Sequence, residues 1–296
     1  MLTRLIPVLL LSALVLGCSD QPDPEYLADL DQWHTERVER LQTDDGWLTL
    51  VGLNKLHVGS NSVGSGEDTD VRLPDPAPAI LGIIIIDEDG PRFVTAGQVE
   101  VTLDSYPVIE TPLATDMPGP ASILRFGAMS CYVIKRGDDH FLRVKDNDSE
   151  VRRTFTGIDR FPPTQDWRVK ARLEPNEEGN TVAITNALGQ VEESATPGKL
   201  VFVIDGQRHS LIPLGEPGKP LFIVFGDQTN GLTTYGGGRF LSTDAPDADG
   251  VVYLDFNKAT NPPCVFTPHA TCPLPPAENR LPFAVEAGEK MWGAMH

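Results

Sequence analysis

Between Asn261 and Lys290 the chain reads NPPCVFTPHATCPLPPAENRLPFAVEAGEK, which sets two cysteines, a histidine, carboxylates and an arginine among prolines. Cys264 and Cys272 can do one of two things. They can close a disulfide, or they can ligate a metal together with His269 or a carboxylate. Fully extended, the two would stand roughly 26 Å apart, whereas a disulfide needs Cα atoms within about 7 Å. The turn Thr267-Pro268-His269 supplies the reversal. The metal set is incomplete in sequence, so we expect the disulfide and no metal.

A second stretch, FGDQTNGLTTYGGGRFL (225–241), adds polar groups at the end of an apolar run. Arg239 lies between Gly238 and Phe240 on an apparent strand. Burial there requires a carboxylate, with Asp227 and Asp255 as the candidates. Together the two stretches supply Asp227, Thr229, Tyr235, Arg239, Asp255, Asn257, Asn261, Glu278, Asn279 and Glu289, interleaved with Phe225, Phe240, Phe256 and Phe266. If the C-terminal segment folds back over the strands that end at Asp227 and Asp255, these groups line one pocket with an apolar floor, the usual build of a small-molecule site. Two other readings stand beside it. The amides and the guanidinium can act as clamps for carbonyls that the prolines leave unpaired, or the same surface can dock a protein.

The catalytic residues and any cofactor are left unknown. The chain has no G-x-S-x-G elbow, H-E-x-x-H helix, Walker loop or strand-linked G-x-G-x-x-G. Asp247-Ala248-Asp249-Gly250 fails the calcium-loop register at both ends and reads as a turn. His209 and Ser210, as neighbours on a strand, point to opposite faces. His34, on the first helix, and His57 read as solvated.

The elements that must position these groups begin with a leader. Arg4 precedes an apolar run from Leu5 to Leu16, too short for the ~20 residues of a spanning helix, and Val15-Leu16-Gly17-Cys18 resembles the bacterial lipobox. Cys18 is then the lipidated first residue of the mature chain, and Ser19 behind it points to the outer membrane, facing the periplasm. Residues 1–17 are read as signal peptide and 18–44 as a tether and an amphipathic helix, with Leu27, Leu30, Trp33, Val38 and Leu41 at helical spacing. Residues 45–296 are read as one β-rich domain. Once Cys18 is spent on lipid, Cys131, Cys264 and Cys272 remain, which allows at most one intramolecular disulfide.

The formal charge is −18 and no cluster of lysines and arginines follows in sequence. Nucleic acid is thereby an unlikely partner, and membrane contact is expected through the lipid alone.

Past Gly46 the period becomes that of strands. WLTLVG, ILGIIIID, SILRF, CYVIKR, HFLRVKD, WRVKARLE, TVAIT, KLVFVID, SLIPL, LFIVFGD and VVYLDF recur about every ten residues, separated by turn signals such as Asp89-Gly90, Asp205-Gly206 and Asp249-Gly250. The pattern predicts a mainly β protein, an antiparallel sandwich or partly closed barrel with one N-terminal helix and a proline-rich C-terminal segment.

The run D-x-T-x-G-x-x-T-Y-x-x-G-R-F-L, then L-D-F-N, N-P-P-C, T-C-P-L-P-P-x-E-N-R-L and A-G-E-K resembles the bacterial and archaeal family called domain of unknown function 1684. GWLTLVGL (46–53) and RVKDNDS (143–149) are similar to it as well, so the resemblance runs from about Trp33 to Lys290. It implies no activity. Thr260 and His269 stand where aromatic residues are expected, so a mechanism that needs His269 would not fit the family at large. The expectation is an envelope lipoprotein that binds a small molecule or an envelope partner at the polar pocket. The alternative is a hydrolase-like or redox enzyme that uses the same groups and the cysteines.

Overall fold

The computed structural model describes residues 23–177 and 179–293. The lipidation residue Cys18, the signal peptide and the first residues of the tether lie outside them. The first helix, Pro24–Gln42, starts at an Asp23 cap whose side chain accepts from the Glu25 amide, with proline in the first turn where its missing donor costs nothing. Leu30 and Leu41 on its apolar stripe are buried. No helix among the described residues is long and apolar enough to cross a membrane.

The strands form a mainly β, sandwich-like architecture without a closed barrel. In the N-terminal half a six-stranded sheet runs in the spatial order Leu50–Leu56, Asp139–Asp146, Met129–Arg136, Leu124–Phe126, Thr102–Leu103, Tyr106–Pro107. A five-stranded sheet runs Val71–Arg72, Gly59–Gly64, Gly82–Asp87, Gly90–Thr95, Glu110–Pro112. Val63, Ile84, Phe93, Leu124, Val133, Leu142 and Val144 belong to the apolar core of this half. Pairing is antiparallel except between Gly59–Gly64 and Val71–Arg72, which is parallel.

A second core gathers Leu200, Phe202, Ile223, Phe225, Leu254 and Phe256. It is built from a four-stranded sheet in the order Gln207–Leu211, Gly198–Ile204, Arg168–Pro175, Val251–Asp255 and from the hairpin Leu221–Phe225 with Arg239–Thr243. The turn at Asp205-Gly206 has φ of 51° and 74°, the two left-handed positions that a tight hairpin needs. Leu41, Leu48, Phe155, Ile158 and Phe266 form a smaller cluster that joins the helix to both halves of the chain.

Each predicted strand segment overlaps a strand, but the boundaries differ, most for SLIPL, of which only Ser210 and Leu211 lie in the strand Gln207–Leu211. Trp47–Thr49 is a single 3-10 turn, with the strand starting only at Leu50. Gly59–Gly64 and Val191–Ala195 are strands that the sequence reading did not mark; their glycine, serine and glutamate content carries little β signal. Asp247 folds as the expected turn, its side chain accepting from the Asp249 and Val251 amides.

Candidate functional site

The predicted polar set does not converge on one opening. It divides into local networks that close on the protein's own groups. In the first, Arg239 is fully buried. One guanidinium nitrogen donates to Asp227 Oδ2 at 2.8 Å and to the Val285 carbonyl at 2.8 Å, the other donates to the Ala287 carbonyl, and Phe225 lies 5.3 Å beneath. Burial lowers the Arg239 pKa and Asp227 opposes that shift. Asp227 Oδ1 accepts from the Thr229 amide at 2.8 Å, the Thr229 hydroxyl at 2.6 Å and the Val285 amide at 3.1 Å. Thr234 and Asn230 complete the ring, and Tyr235 stands half-buried at its rim with its carbonyl accepting from Asn230. Gly238, at φ 91°, makes the approach possible, because a Cβ there would sit 2.5 Å from Pro275 Cγ and 2.6 Å from the Phe225 carbonyl.

Asp255 belongs to a different network. Its Oδ1 accepts from the Tyr26 hydroxyl at 2.9 Å and from Asn257, which also donates to the Thr164 carbonyl at 2.8 Å. Burial, then the charge of Asp255, raises the Tyr26 pKa. In the third network Glu289 accepts from the Asn261 backbone amide at 2.6 Å and from Arg37 at 3.1 Å, and Arg37 also donates to the Asn261 carbonyl at 3.2 Å, so the first helix is pinned to the C-terminal segment at two points. Asn279 is a separate clamp: its amide donates to the Ile212 and Val224 carbonyls, and its oxygen accepts from the Ile212 amide. Glu278 is exposed. Arg239, Asp227, Asn257 and Asn279 each bond backbone groups of the fold.

Cys264 and Cys272 are joined as a disulfide, Cα atoms 6.2 Å apart. Cys131 is a free, buried thiol whose pKa burial pushes up to about 12. No group of three or more metal-ligating side chains stands together among the described residues. His34 is half-buried instead of solvated: its Nδ1 is buried without a partner and burial lowers its pKa.

The disulfide loop covers something that the sequence reading missed. Ala270 and Cys272 pack on Leu50 and Trp47, and Thr267 donates to the Leu50 carbonyl at 2.9 Å. Thr271 thereby lies over the outer side of the six-stranded sheet, where its hydroxyl accepts from Arg143 at 3.4 Å and Arg136 at 3.3 Å. On that side Arg143 and Lys145 stand two residues apart on one strand, and Tyr132 is directly opposite Arg143. Arg143 sits 5.4 Å from the Trp47 ring and 5.7 Å from Tyr132; Lys145 sits 5.9 Å and 5.5 Å from the same two rings.

Charge accounting singles out this pair. Four cations gather here, and two of them have carboxylates: Arg125 pairs with Asp45, and Arg136 with Asp116 at 2.8 Å. Arg143 is only 5% exposed, its two hydrogen bonds are long and go to the neutral hydroxyls of Tyr132 and Thr271, and its Nε has no partner among the described residues. Lys145 donates to the Asp45 carbonyl. Burial lowers the Lys145 pKa, Asp45 pulls the other way and Arg143 adds to the lowering. Trp47, Tyr132 and Lys145 remain half-buried, so the pair is reached from solvent at the Lys145 edge. Two neighbouring cations between two ring faces, one of them without a carboxylate, can take an anion that carries a flat apolar group. A signal was present in the sequence: the alternation Arg143-Val144-Lys145 puts both cations on one face of a predicted strand.

A comparison with curated proteins gives no match. Among solved structures, an uncharacterised protein of Haloarcula marismortui, determined in solution, is 32% identical over 47% of this chain and 78% of that chain, with a TM-score of 0.39. An FHA domain crystallised with the intracellular domain of another protein is 22% identical over 31% of this chain and 96% of its own, with a TM-score of 0.22. The family match is shorter than the span of motifs from Trp33 suggested, leaving GWLTLVGL and RVKDNDS outside it. Residues 153–290, which hold the arginine network and the disulfide, match the family described as protein of unknown function (DUF1684).

Proposed function

We propose that the chain is a lipid-anchored envelope protein that binds a small organic anion between Trp47, Tyr132, Arg143 and Lys145. The observation that carries the binding half is Arg143, a buried guanidinium whose Nε has no partner and which pairs with no carboxylate among the described residues, beside the half-buried ammonium of Lys145, which donates to the Asp45 carbonyl. A buried charge without a counter-charge is costly, and the ring faces offset only part of that cost. An anion that arrives through the Lys145 edge supplies the missing charge and exchanges the long hydroxyl contacts for charge-assisted ones. The envelope half rests on Val15-Leu16-Gly17-Cys18.

The binding test is a titration of the mature protein with phenyl phosphate and with benzoate, followed by tryptophan fluorescence, since Trp47 forms one wall. A saturable change that weakens with salt and is lost in Arg143→Gln, with the fold retained by circular dichroism, supports the reading. No saturable change with either probe refutes it. The anchor is tested apart: Cys18→Ser should move the protein from the membrane to the soluble envelope fraction, and unchanged sedimentation counts against it.

A further inference from the structure

The formal charge of −18 is not spread evenly. In the four-stranded sheet Arg168, Lys170 and Arg172 are exposed and alternate with the buried Val169 and Ala171, so three cations stand on the outward side of one central strand. Register brings others beside them. Lys199 is opposite Glu174 on one neighbour, Arg208 is opposite Val203 one strand further out, and Tyr253 is opposite Lys170 on the other flank. The outward side thus carries Arg168, Lys170, Arg172, Lys199 and Arg208 against Glu174, which pairs with Arg208, and Asp255, which is engaged by Tyr26. Five cations less two acids leave three positive charges. Tyr253 is 44% and Val203 58% exposed among them, and a shallow trough of about 560 Å³ runs between Lys170, Arg172, Val201, Arg208 and Val251.

The chain enters at this same face. Tyr26 is bonded to Asp255, and its ring lies 5.6 Å from the Arg168 guanidinium, which in turn stacks 4.3 Å from Tyr253. From the helix cap Asp23 back to Cys18 is five residues, a reach of at most ~18 Å.

We propose that the outward face of the four-stranded sheet is a docking surface for anionic phospholipid headgroups, lying against the bilayer to which Cys18 is attached. The proposal rests on the anchor half of the function above. Its orientation follows from charge: the rest of the chain is more negative still and is repelled by anionic headgroups, so this face is the one turned to them. The short tether matters because the attraction fades within about 8 Å at physiological ionic strength. Tyr253, ringed by long basic side chains, suits the headgroup layer, where an amphipathic ring and extended cations both find partners.

The test uses the mature chain, residues 18–296, with Cys18→Ser so that no acyl chain contributes. It is sedimented with vesicles of phosphatidylcholine alone and with vesicles in which about a third of the lipid is phosphatidylglycerol, at low and high salt. Three net charges predict partition onto the anionic vesicles at least about tenfold stronger, after allowance for repulsion of the remaining surface. Lys170→Glu with Arg172→Glu should abolish the difference. The milder Lys170→Gln with Arg172→Gln should reduce it while leaving thermal unfolding unchanged. Equal partition onto both vesicle types, no partition onto either, or anionic binding that the variants leave untouched would overturn the proposal. Cell fractionation of the Cys18→Ser chain judges the anchor separately, so the two can fail independently.

Discussion

Replacing Arg239 with methionine keeps most of the side-chain volume and removes the charge. Asp227 Oδ2 then loses its donor while its side chain remains fully buried, and the Val285 and Ala287 carbonyls lose theirs. Breaking a buried ion pair from one side costs about 3–5 kcal/mol, and each orphaned carbonyl adds about 1–3 kcal/mol. The three donors on Asp227 Oδ1 survive, which keeps the carboxylate part-satisfied and argues for the lower end of each range. The sum is about 5 kcal/mol or more, comparable with the whole stability of a typical domain at about 5–15 kcal/mol. Arg239→Lys keeps a charge but not the fork that reaches three acceptors, so it should fall between the variant and wild type. Urea unfolding followed by tryptophan fluorescence reads this core directly, because Trp167 packs edge-on against Phe256. A loss below about 1 kcal/mol in Arg239→Met would refute the reasoning, since it would mean the buried carboxylate finds another partner at little cost.

Three further outcomes follow from the same coordinates. Reduction of Cys264–Cys272, a loop with sequence separation of 8, should lower stability by about 2.5 kcal/mol on the chain-entropy estimate; unfolding with and without reductant measures it, and it should also loosen Thr271 over Arg143 and weaken anion binding. Tyr26→Phe removes a hydroxyl that joins Asp255 and Asn257, and should cost about 1–2 kcal/mol and expose helix Pro24–Gln42 to limited proteolysis. For Asp45 burial works against the charged form, but hydrogen bonds from Arg125 and Ser130 outweigh it and the pKa is lowered; the stability it contributes is therefore present above the ordinary carboxylate value of about 3.9 and is lost as the pH falls through its lower folded value, a loss that Asp45→Asn should remove from the acid limb of the stability curve.

The strands of the two cores were legible because alternation and turn chemistry agree with burial. HFLRVKD and CYVIKR each put one set of side chains inward, Leu142 and Val144 with Cys131 and Val133, and a glycine turn between them fixes the pairing. The pocket was not legible because proximity in sequence says nothing about whether a polar side chain faces a ligand or a carbonyl. Asp227, Asn257 and Asn279 are each consumed by backbone groups that prolines, tight turns and hairpin ends leave unpaired, and the number of those groups is set by the fold. Asp255 was a plausible partner for Arg239 until the first helix, more than two hundred residues earlier, delivered Tyr26 to it.

The basic face is hidden in the sequence for the opposite reason. Along the chain Arg168, Lys170 and Arg172 are separated by apolar residues and look like an ordinary strand. In a sheet the relevant neighbour lies across the ladder, about 5 Å away, whatever its distance in sequence. Lys199 and Arg208 reach that face from the adjacent hairpin, and Glu174 is the acid that meets them there. The same logic places Arg143 and Lys145 together beside Tyr132, and brings to Arg143 a threonine from a disulfide loop more than a hundred residues away. Both cationic sites therefore arise from a period of two in single strands, combined with pairing that only the folded sheet specifies, and a net charge of −18 masks them equally well. The two differ in what they present. Around Arg143 the cations are enclosed and flanked by rings, which suits one small anion, whereas around Lys170 they are exposed on a broad face, which suits a surface of many headgroups.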